Sequence, residues 1–93
     1  MKMKNEFKLI NGTFDKTEAK SLLTDMYSSK IKFHSIRALR HEELHASKSD
    51  YHLLKIEELK IERDRLIQFT NLLKDEDRVR ISSEISIQIN PEI

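Results

Sequence analysis

Between residues 50 and 74 the chain repeats its apolar positions at helical spacing. His52, Ile56, Leu59, Arg63, Leu66, Ile67, Thr70 and Leu73 fall on one face, which predicts an amphipathic helix over about Asp50 to Lys74. Upstream, Ala19, Leu22, Leu23, Met26 and Tyr27 make a similar stripe. Asp15 with Glu18 three residues later has the form of a capping box, and Phe14 with Ala19 that of a hydrophobic staple, so this helix should begin near Lys16. Past Tyr27 the apolar face is interrupted. Lys30, His34, Arg37, His41 and His45 take it over, while Phe33, Ile36 and Leu39 lie progressively round the cylinder, so the helix should turn its apolar face or bend near Ser28 and Ser29. Ala46 to Asp50 has the composition of a connection, with Ser47 or Ser49 as the cap of the second helix.

At the end of the chain the period changes to two. Val79, Ile81, Ile85, Ile87 and Ile89 alternate with polar residues, with Ser83 the one lapse, which predicts a strand of up to eleven residues. Phe7 to Ile10 beside Asn11 and Gly12 reads as a brief strand ending in a turn. Gly12 and Pro91 are the only glycine and proline, which agrees with long uninterrupted helices. The expected fold is α+β and mainly α, a single domain over 1–93. A long antiparallel helix hairpin is flanked by a short N-terminal strand and a C-terminal strand that pair as an antiparallel ribbon. With the bend near Ser47 and Lys48, core pairs are expected at Leu59 with Ile36, Ile56 with Leu39, Phe69 with Met26 and Leu73 with Leu22.

Such a hairpin buries only its own seam, and a two-stranded ribbon is marginal alone. Leu54, Ile61 and Leu72 form a second row on the far side of the second helix, and Ile85 and Ile87 lie on the last strand. These five residues are expected to form a protein interface, either in a homodimer or higher symmetric oligomer or with an unidentified protein partner.

Composition narrows the chemistry. Seventeen Lys and Arg against sixteen Asp and Glu leave a net charge of +1, so the whole-molecule field does not favour nucleic acid or an anionic membrane. With no cysteine there is no disulfide framework or thiolate metal site, and no apolar run has the length of a signal peptide or membrane span, so a cytoplasmic protein is expected. Thr13, Thr17 and Ser21 read as caps and surface residues, because no histidine or glycine-rich loop accompanies them. The expectation is a non-enzymatic protein without cofactor, acting as a scaffold, adaptor or regulatory subunit.

Two local patterns supply alternatives. No acid lies between Asp25 and Glu42, and Lys30, His34, Arg37 and Arg40 there can track a phosphate backbone. Against that, Glu57, Glu58, Glu62 and Asp64 of the second helix are placed to neutralise them, and no aromatic residue interleaves along the stretch for base stacking. His41-Glu42-Glu43-Leu44-His45 resembles the zinc-binding helix of the zincin metalloproteases, which would make His41 and His45 metal ligands. It departs from the metzincin form: Tyr51 stands where the third histidine would fall, His52 is one residue late, and the glycine is missing. A solvated charged face is the stronger reading. Arg63 and His52 interrupt the apolar face of the second helix, where Arg63 is expected to reach a carboxylate across the interface or to extend to its rim.

Phe14, Ala19, Leu22, Ile31, Phe33-His34 and Ile56-Glu57-Glu58-Leu59-Lys60 resemble short uncharacterised bacterial proteins of similar length, over residues 7–73. The resemblance implies a cytoplasmic bacterial protein and implies no activity.

Overall fold

The computed structural model describes residues 4–89; Met1 to Met3 and the segment containing Pro91 lie outside it. Four elements follow one another: β1 (Lys4–Asp15), α1 (Lys16–His45), α2 (Asp50–Asn71) and β2 (Arg78–Gln88). The fold is α+β, mainly α, with the two helices packed as a hairpin and the two strands paired antiparallel.

Local chemistry sets the boundaries. The Asp15 carboxylate accepts the Glu18 N–H at 2.8 Å, and the Glu18 carboxylate accepts the Asp15 N–H at 3.1 Å, which closes the capping box at the start of α1. From there α1 runs for 30 residues and passes Ser28 and Ser29 as one helix. Its face does not turn. Ile31, His34, Ala38 and His41 continue the covered stripe, whereas Phe33, Ile36 and Leu39 stay exposed. Ala46 ends α1 in the left-handed conformation at φ 53°, its N–H donating to the Glu42 carbonyl at 2.8 Å. Ser49, itself buried, accepts the His52 N–H and caps α2.

α2 stops at Asn71, three residues before the expected Lys74. The Asp77 side chain takes the Lys74 N–H at 2.7 Å, and the Asp77 N–H donates back to the Lys74 carbonyl at 3.0 Å. This reciprocal turn turns the chain toward β2.

β1 is the larger departure. Its twelve residues run straight through Asn11 and Gly12, where the sequence suggests a turn. Gly12 has no positive φ and stands opposite Ile81, and a β-carbon on it would lie 3.3 Å from the Phe14 ring. The glycine therefore makes room for Phe14 within the ladder. Between Lys8, opposite Glu84, and Ile10, opposite Ser83, Leu9 is an extra residue. This bulge shifts the strand's phase, so that Phe7 pairs with Ile85 and Ile10 with Ser83, both on the apolar side of β2.

The ribbon lies beside α1 and does not touch α2, so ribbon, α1 and α2 form a row. The resulting slab measures 51 × 36 × 14 Å, a single layer of structure. Its covered residues are few: Ile10, Ala19, Ala38, Ser49, Ile56 and Thr70 are the buried ones among the described residues. Ala19 and Ala38 on α1 are small enough to let α2 approach closely. The α2 face follows its sequence pattern, with His52, Ile56, Leu59, Arg63, Leu66, Ile67, Thr70 and Leu73 all covered wholly or in part. Ile56 sits with Ala38 and Leu39 along one shallow groove, but Leu39, Ile36 and Phe69 are each more than two-fifths exposed. The expected pairing Phe69 with Met26 thus does not form a core contact, because Phe69 points off the seam while Thr70 occupies it.

Non-glycine residues pay for the left-handed conformation, so Ala46→Gly should stabilise the protein by about 1 kcal/mol, raising Tm by ~4–8 °C. Thermal melting by circular dichroism checks this, and an unchanged or lower Tm would contradict the αL end of α1.

Candidate functional site

The seam between the helices carries a pair of histidines. His34 from α1 and His52 from α2 approach with Nδ1 to Nδ1 at 2.8 Å, partly shielded from solvent. Two neutral imidazoles make this hydrogen bond only if one carries its proton on Nδ1 and the other on Nε2. Burial pushes the His34 pKa below its ordinary 6.5, and His52, Lys30, Lys55 and Arg37 add repulsion in the same direction.

Around this pair the side chains form a connected group. The Phe33 ring meets His34 edge-on at 5.2 Å, Tyr51 lies 6.4 Å from His34 and 5.0 Å from His52, and the two histidine rings are 5.1 Å apart. Arg37 rests over Phe33 at 4.9 Å and Lys55 over Tyr51 at 5.7 Å. Helix geometry explains the juxtaposition. Lys30, Phe33, Arg37 and Arg40 follow the 3-and-4 spacing on the flank of α1 beside His34, and Tyr51 and Lys55 do the same on α2 beside His52. In an antiparallel pair of right-handed helices these two flanks open on the same face.

Two expectations about the basic stripe are corrected here. The four carboxylates of α2 expected to neutralise the stripe are engaged within α2: Glu58 with Lys55 at 3.4 Å, Glu57 with Lys60 at 4.0 Å, Glu62 with Arg65 at 3.3 Å and Asp64 with Arg63 at 3.6 Å. They are turned to their own helix because partners three residues away, or next in sequence, are within reach. Lys30, Arg37 and Arg40 consequently have no ion pair among the described residues. Aromatic rings do interleave with the cations, since Tyr51 enters from the other helix and Phe33 stands half exposed beside His34. Arg63 pairs with the adjacent Asp64 at 3.6 Å.

The five residues expected at a protein interface are all exposed: Leu54, Ile61 and Leu72 on the outer edge of α2, and Ile85 and Ile87 on β2. Leu72 is the most exposed at 82%. Phe7, opposite Ile85 across the ribbon, is also exposed and extends the patch to β1. Sequence reading missed Phe7 because the Leu9 bulge hides its phase. His41 and His45 stack with ring centroids 4.6 Å apart near the end of α1. Among the described residues no group of three or more His, Cys, Asp and Glu is placed to hold a metal ion. No described helix is long and apolar enough to cross a membrane.

No family model, curated protein or solved structure matches the chain.

The histidine pair makes stability depend on pH in a definite direction. With the folded-state pKa of His34 below its unfolded value, the unfolded chain binds the extra proton, so the stabilisation is complete above the unfolded pKa and falls as pH drops through it. Tm should therefore decrease as pH is lowered from about 7.5 to about 5.5, above the range where carboxylates titrate. His34→Gln should remove most of that dependence, and an identical slope in the variant would exclude the pair as its source.

Proposed function

We propose that the protein works by self-association, as a non-enzymatic module that presents protein contacts in the manner of a scaffold, adaptor or regulatory subunit. One observation carries this reading. The chain exposes 7599 Å², whereas a compact monomer of 11.1 kDa exposes about 5,700 Å². The excess, roughly 1,900 Å², is more than twice the ~800 Å² that each partner contributes to a standard stable interface. The radius of gyration of 17.0 Å against about 12 Å for a compact chain of this length tells the same story.

A second copy is the occupant that fits. The apolar row of Phe7, Ile85 and Ile87 lies on a two-stranded ribbon with open edges, and two such ribbons joined edge to edge make a four-stranded sheet. Leu54, Ile61 and Leu72 line the opposite border of the slab and offer a further contact to the same copy or to another protein.

Sedimentation equilibrium at micromolar concentration should give at least twice the 11.1 kDa chain mass. The double variant Ile85→Glu, Ile87→Glu, at two exposed positions of β2, should shift the population to monomer while keeping its helical circular dichroism. A wild-type protein that stays monomeric throughout that range would overturn the proposal.

A further inference from the structure

We propose that the face of the helical hairpin built from Lys30, Phe33, Arg37 and Arg40 of α1 with Tyr51 and Lys55 of α2 binds single-stranded nucleic acid. This is separate from self-association and rests on different residues. Single strands are recognised by two features in combination, cations that follow the phosphates and exposed rings on which bases stack. Both are present together here. Four cations line the face, of which only Lys55 has a carboxylate partner, Glu58, among the described residues. Phe33 and Tyr51 are 50% and 61% exposed, and both touch the His34 ring that bridges the seam between them.

The unbound arrangement is that of a site with its charges held in reserve. Arg37 and Lys55 lie on the rings through cation–π contacts, which at exposed positions are weak enough to yield when a base takes the ring and a phosphate takes the cation. The histidine pair adds one donor beside the rings without requiring protonation, because one neutral imidazole donates its Nδ1–H to the other, whose own N–H lies on Nε2. Rings standing clear of the surface select for unpaired bases, since a duplex keeps its bases stacked and offers only phosphate. The overall charge of +1 then matters little, because Glu57, Glu58, Glu62 and Asp64 are turned along their own helix, which leaves Asp50, next to Tyr51, and the acids from Glu42 onward at the hairpin tip.

The test is fluorescence anisotropy of a labelled oligouridylate and its deoxythymidylate counterpart against the full chain at low salt. Binding should weaken as salt rises, with a log–log slope of about −2 to −3 for three or four phosphate contacts. Phe33→Ala and Tyr51→Ala should each raise Kd by roughly 5-fold or more, while Tyr51→Phe retains affinity. Arg37→Gln should lower the slope by about one contact. Each variant is exposed, so helical circular dichroism and the sedimentation mass should match wild type, which separates this result from failure of self-association. No binding at low salt overturns the proposal. So does binding that survives loss of both rings, or that a duplex or polyglutamate matches, because either marks a generic polyanion surface.

Discussion

A thickness of 14 Å is one layer of helix or ribbon, and a single layer has two faces but no interior. Most of what distinguishes this chain follows from that. The apolar side chains of an amphipathic helix are hidden only along the line where it meets a neighbour. Here α1 is the one element with neighbours on both sides, the ribbon on one and α2 on the other. Burial is accordingly confined to the seams. The α1–α2 seam closes over Ala19, Ala38, Ile56 and Thr70, where small side chains trade hydrophobic area for close approach. The Thr70 hydroxyl can sit there because it donates to the Ile67 carbonyl at 3.0 Å within its own helix.

The same geometry organises the charges. On α2, acids and bases three residues apart satisfy one another along the helix surface, which leaves no carboxylate directed at the neighbouring cations of α1. The His34 and His52 pair marks where the first turn of α2 meets α1, in a surround of Lys30, Arg37 and Lys55 with no acid acting on His34. An imidazole pair suits such a place, since it fills the seam and forms its own hydrogen bond.

Signals that act within four residues were legible in the sequence. The capping box at Asp15 and Glu18, the Ser49 cap, the whole covered face of α2 and the alternation from Val79 to Ile87 were readable because each is set by local spacing. What was hidden depends on pairing across the chain. Asn11 and Gly12 have turn chemistry, yet the ladder to Ser82 and Ile81 and the Phe14 ring over Gly12 hold them extended. The Leu9 bulge leaves no trace in β1 alone and becomes visible only against the register of β2. On α1 the covered face passes through His34 and Ala38 rather than Phe33 and Leu39, since closeness of approach to α2 outweighs the apolar character of the larger residues. The aromatic and cationic face was half legible, with its α1 cations evident in sequence. Tyr51, 18 residues beyond Phe33, joins it only when the hairpin closes.

The two proposed surfaces rest on different residues and adjoin at Lys30, which lines one hollow with Ile85. Leu54 lies two residues beyond His52 and thus about 200° round α2 from the seam, on the slab's border, and Ile61 and Leu72 share that border. Ile85 and Ile87 lie on the ribbon, on the other side of α1. The basic face straddles the seam between these borders, and its rings, Phe33 and Tyr51, stand on the two helices beside His34. Joining copies through their borders would therefore set several such faces on one assembly. A strand engaged by one would then meet the next at high effective concentration, and modest affinity per face would add up to firm binding without any new contact. A thin chain with few buried residues is suited to that arrangement, because the surfaces it cannot hide are the ones the proposed contacts require.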